Sequence, residues 1–261
     1  MKKPEQDSNF FVIEGVLTEL HVSPGKENLL EKIDKHYQSK SVITGLGTAV
    51  GELYGQVAAS AAVAMYEGEF TENFVCLIDN QAVCGTFGGA SKLPVGKKVK
   101  AIVSKKGNVL VAEGILSDSE GLVWIAHAWG FKAEQLANYK IATGCFLFQL
   151  IATFLACLLS GEFGTSFFWF MLKLSVLGGG ALCFGVAAWV STTMNTLADP
   201  ATAIFRLLGF ANPEKINLNS YQYGIIHIED LVHSNETRAN YGNVHCYKKA
   251  IADGKIQMIS G

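Results

Sequence analysis

From Ile141 to Gly161 the chain carries no charged side chain. At 1.5 Å of rise per residue, Ile141–Ser160 makes a helix about 30 Å long, the thickness of a bilayer's hydrocarbon core. A second apolar stretch runs from Phe167 to Val190, broken by Lys173 alone, with Phe168 and Trp169 near its start and Trp189 at its end. Aromatic residues at the ends of an apolar run mark membrane interfaces. A lysine about one and a half turns inside lays its stem along lipid while its ammonium reaches the headgroups. Only Gly161-Glu162-Phe163-Gly164-Thr165-Ser166 joins the two runs, so the spans, about 141–160 and 167–190, form a tight hairpin whose ends share one side of the bilayer. Lys132 and Lys140 precede it and Arg206 and Lys215 follow it, whereas the tip offers only Lys173. The positive-inside rule therefore predicts a membrane protein of two spans with both termini cytoplasmic. Gly178, Gly179, Gly180 and Gly185 thin the second span and suit it to close approach of a neighbouring helix, including one from a second copy in a homo-oligomer. Gln149 is the one amide and Lys173 the one charge in the spans, so no polar stripe predicts a channel from a single copy.

Outside this block the composition is that of a soluble protein. Charged residues make up 17% of the chain, against roughly 25% in ordinary soluble domains, and nearly all of the deficit falls between Ile141 and Ala198. With 21 basic and 23 acidic side chains, the chain lacks the charge excess of a nucleic-acid binder. Lys2 and Lys3 are followed by no apolar core, and the first hydrophobic run carries Glu14 and Glu19, so no cleavable secretory signal is expected. Of six cysteines, Cys145, Cys157 and Cys183 lie in the apolar block; Cys76, Cys84 and Cys246 are too scattered for a disulfide framework and suit a reducing compartment.

The N-terminal region, 1–139, is predicted to be β-rich. Phe10–Leu20 has strand composition, and Pro24-Gly25 is expected to open an amphipathic helix with Leu29, Leu30 and Ile33 on one face. Ser41–Tyr66 holds the single charge Glu52, and Gly47, Gly51, Gly55 and Ala59 recur every four residues, a smooth helix-packing face over about 45–66. Three readings stay open there: a packed helix of the soluble domain, a weakly hydrophobic membrane-inserted segment, or a dinucleotide site. Gly45-Leu46-Gly47-Thr48-Ala49-Val50-Gly51 has the spacing GxGxxxG rather than GxGxxG, and no strand–helix alternation follows it. Gly85-Thr86-Phe87-Gly88-Gly89-Ala90-Ser91-Lys92 has the composition of a phosphate-binding loop but puts serine before lysine. Strands are predicted at Phe74–Ile78, Ala82–Phe87, Lys98–Ser104, Val109–Leu116 and Leu122–Ala126, separated by turn residues such as Asp79-Asn80 and Lys106-Gly107-Asn108. Val99, Ala101 and Val103 share one face of their strand. Connections this short predict antiparallel pairing in a small barrel or curled sheet of the OB or SH3-like kind.

After the hairpin (140–194), the segment 195–261 reads as a helix plus a β-hairpin. Asp199-Pro200 is a helix start, Ala201–Leu208 carries an apolar stripe and Gly209 closes it. Asn243–Ile251, Asp253-Gly254 and Lys255–Ile259 are expected to pair as strands. His227, His233, His245 and Cys246 are zinc-ligand types, but their spacings match no compact ligand pattern, so no metal is expected. There is no GxSxG and no HExxH, and Glu229-Asp230 would point to opposite faces of a strand. No catalytic residue and no cofactor are expected. The fold class is an α+β membrane protein: a β-rich domain, a transmembrane helical hairpin and a small α+β segment.

This arrangement, together with Ala203-Ile204-Phe205-Arg206-Leu207-Leu208-Gly209-Phe210-Ala211-Asn212-Pro213-Glu214-Lys215-Ile216-Asn217-Leu218, resembles a bacterial family of type VI secretion system effectors in the segment after its membrane hairpin. These sixteen residues hold helix and turn features without chemistry, so the resemblance implies no catalytic or binding residue. It implies a non-enzymatic bacterial inner-membrane protein of a secretion-linked toxin system, either an effector or its immunity or accessory protein. Its partners would be the lipid bilayer and a toxin or secretion component. The alternatives are a membrane-anchored binding or scaffold module unrelated to secretion and, further off, a nucleotide-binding membrane enzyme using Gly45–Gly51.

Overall fold

Fifteen residues rich in aromatic and β-branched types, Phe10–Pro24, form one long strand, β1. Ile13, Gly15 and Leu17 point inward and Val12, Glu14, Val16 and Thr18 outward. In the computed structural model, which describes residues 10–24, 71–106, 109–229 and 241–259, β1 serves two neighbours. Its first half pairs antiparallel with β4 (Lys98–Lys106), and its second half, beyond an irregularity between Leu17 and Leu20, with β2 (Glu72–Ile78). β2 turns into β3 (Gln81–Phe87) over Asp79 and Asn80, both at positive φ as a tight two-residue hairpin requires. The Asp79 carboxylate then accepts from the Val16 backbone N–H at 2.9 Å. A side chain on Gly15 would collide with that carboxylate, its Cβ falling 2.3 Å from Asp79 Cγ.

β5 (Val109–Ser117) pairs antiparallel with β4 and, through Val83↔Leu110 and Cys84↔Val111, parallel with β3. This closes a ring in the order β1-β2-β3-β5-β4, a five-stranded barrel of OB-type connectivity rather than a purely antiparallel sheet. The parallel closure departs from the expectation because β3 and β5 are not sequence neighbours. The whole of β4 separates them, so no short turn dictates their direction. Beyond the barrel, the second half of β5 pairs with β6 (Leu122–Ile125), and β6 with a two-residue strand β7 (Val244–His245).

The inner face of β4 matches the sequence pattern, with Val99, Ala101 and Val103 in the barrel core beside Phe74, Phe87 and Trp124. Its other face is covered too. Ile102 belongs to a second core formed with Leu116, Val123, Ile204, Phe205, Leu208 and Phe210. The helix that covers it comes close at Gly114, where a Cβ would lie 2.8 Å from Ile204 Cγ2.

Two long helices follow. α1 spans Phe131–Leu159 and α2 spans Ser166–Leu208, with a π-helical turn at Ser175–Gly179; both are long and apolar enough to cross a membrane. α2 corrects the expectation of a separate helix starting at Asp199-Pro200, because Pro200 sits inside it. The carbonyl that Pro200 leaves without a donor is one turn back on an exposed stretch of helix, where it is open to its surroundings. Gly209, at φ 96, ends the helix as its sequence position suggested.

The expected C-terminal hairpin is replaced. After β7 the chain enters a short helix over Tyr247–Ala252, preceded by a single turn at Tyr223–Ile226, and these are α4 and α3. The physical reason is spacing: Tyr247 and Ala250, three apart, are the buried pair and Ile251 packs beside them, a helical period rather than a strand period. Gly254, at φ 68, terminates α4 while Lys255 N–H reaches back to the Ala250 carbonyl at 2.9 Å. The proposed helix at Leu29, Leu30 and Ile33 and the glycine face Gly47, Gly51, Gly55 and Ala59 lie outside the described residues.

α1 starts against the turn at Pro213–Lys215. Gly130 N–H donates to the Ile216 carbonyl at 2.8 Å, and a Cβ on Gly130 would fall 2.2 Å from the Pro213 carbonyl oxygen. Backbone cannot yield as a flexible side chain does, so Gly130→Ala is expected to destabilise the protein by about 1–3 kcal/mol. Denaturant midpoints in a mild detergent check this, with Gly185→Ala as a control expected to change little, since nothing lies within 4 Å of its added methyl.

Candidate functional site

The feature with most to say about function is the outer surface of the hairpin. Along α1 and α2, Ile141, Phe148, Leu159, Leu177 and Trp189 are each between 66% and 86% exposed. Soluble proteins rarely expose contiguous apolar patches above a few hundred Å², and here the exposed apolar side chains continue from Leu136 to Leu197. Inside, the contact between the helices is made by small and polar residues. Ala142, Cys157, Ser175, Gly179, Ala187 and Ser191 are buried. Thr153 Oγ1 and Ser175 Oγ are 2.9 Å apart, and Asn138 donates to Ser191 Oγ at 3.2 Å. Thr153 also donates to the Gln149 carbonyl at 3.0 Å. The two bonds that cross between the helices would each contribute about 0.6–2 kcal/mol if the hairpin lay in a bilayer.

The predicted hairpin residues divide between these two surfaces. Gly179 lies against the Gln149 side chain and Gly180 touches Phe146, so these two belong to the contact with α1. Gly178 and Gly185 face outward, and Lys173 is exposed. At the tip, Phe163 packs on Phe154 and Phe168 with ring centroids 5.3 and 4.9 Å apart, and Phe168 on Trp169. Thr165 caps the start of α2 by accepting from Phe168 N–H at 3.3 Å.

At the other end the helices anchor in the soluble unit. Phe131 N–H donates to Thr202 Oγ1 at 3.0 Å, and Lys132 pairs with Glu214 at 3.2 Å. His127 Nε2 and Glu134 Oε2 meet at 2.6 Å, both partly buried. Sequence reasoning missed this pair; His127 lies before the helix that carries Glu134, so no helical or strand period applies across the step between them.

The histidines and cysteine considered as ligands do not converge. His245 lies in β7, 2% exposed, with Nδ1–H donating to the Leu218 carbonyl at 3.1 Å, and burial lowers its pKa to about 4. His227 stacks on Tyr223, its ring centroid 4.4 Å away. Burial lifts the Cys246 thiol to about 11 against the opposing pull of Lys249, and burial with the nearby Cys84 lifts Cys76 to about 12, so neither offers a thiolate near neutral pH. His233 and Asp230 lie outside the described residues, as does Gly45–Gly51. Among the described residues no three His, Cys, Asp or Glu side chains stand together to hold a metal. Gly85–Phe87 end β3, and in the turn that follows to Lys92 several backbone groups are already engaged. Gly88 N–H donates to Asn243, Ser91 N–H to Glu72, and the Gly89 carbonyl accepts from the Trp124 indole at 3.0 Å.

Comparison with family models, with curated proteins and with solved structures yields no match to this chain.

His245 makes stability depend on pH. Its ordinary value near 6.5 holds in the unfolded chain, so between about 6.5 and 4 the unfolded state binds more protons than the folded one. Stability is expected to fall by about 3 kcal/mol as pH drops through that window, with no further loss from this group below it. His245→Asn keeps a donor for Leu218 and removes the titration, so urea midpoints compared between pH 4 and 7 should slope less in the variant than in the parent.

Proposed function

We propose that the chain is a resident, non-enzymatic protein of the bacterial inner membrane, in which the α1–α2 hairpin anchors a barrel-bearing soluble unit to the cytoplasmic face. The observation that carries this reading is the continuous exposed apolar surface from Leu136 to Leu197, which suits lipid and not water. Residence is favoured over pore formation by two features. The outward surface of the hairpin carries Lys173 but no polar stripe, and α2 cannot move as a free hairpin, because Ala201, Ile204, Phe205 and Leu208 are buried in the core of the soluble unit.

Within this reading the protein serves a secretion-linked toxin system as an immunity or accessory protein, presenting its soluble unit to a toxin or secretion component. The link to secretion rests on the resemblance at Ala203–Leu218. Ile204, Phe205, Leu208, Phe210, Ile216 and Leu218 are buried there, so the resembling residues are those that hold the soluble unit onto the helix. They speak for a shared architecture, and a scaffold role outside secretion shares it too.

Expression in a bacterium lacking any such system tests residence against toxicity. Normal growth and an intact membrane potential are expected, with or without the hairpin. Rapid depolarisation that disappears when 141–190 is deleted would replace the proposal with a membrane-active toxin. Cys145 tests insertion separately. Its side chain is exposed on α1, so in water it would react with a hydrophilic maleimide. In native membranes no labelling of Cys145 is expected before denaturation, and prompt labelling would overturn the anchor.

A further inference from the structure

Where the chain leaves α2, residues 209–211 run antiparallel to 257–259, with Ala211 N–H donating to the Gln257 carbonyl and Ile259 N–H to the Gly209 carbonyl, each at 2.8 Å. Two turns rise from this ladder, one through Asn212–Ile216 and one through Asp253–Ile256. Between them is an open cavity of about 220 Å³, whose polar lining is Asn212, Lys215, Lys255 and Gln257, with no carboxylate among its walls. The chemistry of this lining is one-sided. Among the described residues neither Lys215 nor Lys255 forms an ion pair, and the side-chain amides of Asn212 and Gln257 make no hydrogen bond. The carboxylates close by in sequence are already committed. Glu214 is paired with Lys132 and held below the usual carboxylate range by its own backbone N–H and by that lysine, with a smaller contribution from the charge of Lys215. Asp253 accepts from the Tyr221 hydroxyl at 3.0 Å.

We propose that this cavity is a binding site for a phosphate-class anion, gripped by the Lys215 and Lys255 ammonium groups and oriented by the amide N–H groups of Asn212 and Gln257. Lys215 and Lys255 line one concavity, and a dianion between them would attract both. Lysine binds phosphate as a point charge, and the carboxamides supply directional donors. Size narrows the ligand further. The cavity is smaller than the roughly 300–1,000 Å³ of pockets that enclose drug-sized ligands, so it takes the phosphate group itself and leaves whatever carries that group in solvent.

The same group occurs on lipids and on soluble molecules. The turn at Pro213–Lys215 sits beside the start of α1 at Phe131, five residues or about 7.5 Å of helix before Leu136, where the exposed apolar surface begins. The headgroup layer is about 5–8 Å thick on each side, so on the membrane-anchor reading a lipid phosphate and a soluble one are both within reach. The anion site itself does not rest on that reading.

The test uses the full-length protein in an uncharged sugar detergent and inorganic phosphate as the probe, with thermal unfolding followed against sodium chloride of equal ionic strength. A saturable rise in Tm specific to phosphate is expected, about tenfold weaker in apparent affinity for Lys215→Ala and for Lys255→Ala and retained in Lys255→Arg. Both lysines are exposed, so the alanine variants should fold, and an unchanged Tm without phosphate confirms it. No phosphate-specific shift, or an equal shift in the double alanine variant, would overturn the site. Repeating the titration in phosphatidylcholine vesicles with and without phosphatidylglycerol separates the sources. A shift that persists identifies a soluble ligand, and one that vanishes in lipid assigns the site to a headgroup. Insertion is read independently from Cys145 labelling, so failure of the anchor and failure of the anion site are told apart.

Discussion

The contact between the last turns of α2 and the outer faces of β4 and β5 is the one on which the rest of the arrangement depends. Ile204, Phe205 and Leu208 cover Ile102 and Leu116, burying strand residues that a lone barrel would leave in water. At about 25 cal/mol per Å² of apolar surface, each such fully buried side chain is worth roughly 1.5–3 kcal/mol. Because α2 is one helix through Pro200, the same contact fixes the direction in which the apolar hairpin leaves the soluble unit. The barrel and the hairpin are therefore not two modules on a linker. A helix without a break carries any tilt of its apolar half into the core of the other half.

The junction is built to hold that geometry. Thr202 receives the first N–H of α1, Gly130 lets the Pro213–Lys215 turn approach at backbone distance, and Lys132 reaches Glu214 on that same turn. These contacts join the start of α1, the end of α2 and the C-terminal segment at one place. The proposed anion cavity opens beside this turn, between Lys215 and Lys255, so an occupant would add to the backbone hydrogen bonds and the packing of Phe210, Ile216, Ile256 and Met258 that already join the two segments.

How much was legible follows from how local each signal is. The strands β2 to β6 were readable because alternation and turn residues sit within each hairpin, and Asp79-Asn80 turns where expected. The parallel seam between β3 and β5 left no trace, since two register pairs between distant segments impose no local pattern. β7 and α4 were misread as a hairpin because Val244 and His245 take strand form only by pairing with β6, while Tyr247 and Ala250 answer to a different core. In the candidate site, the glycines of the second span were visible as a group. Which of them touch α1 was not, because three consecutive glycines cover most of the helix circumference and the π turn at Ser175–Gly179 resets the rotation.

The sequence by itself determined that two helices would be long and apolar enough for a bilayer, because that depends only on composition over about twenty consecutive residues. It also determined the inward face of β4 at Val99, Ala101 and Val103, because side chains alternate with period two whatever their partners. Only the tertiary structure decided that β4 is buried on both faces, that α2 continues through Pro200 into the soluble core, and that Lys215 and Lys255 share one cavity. Each of these is a meeting of residues far apart in the chain. Periodicity carries no information about such meetings, because they are set by which surfaces remain to be covered once the local elements have formed.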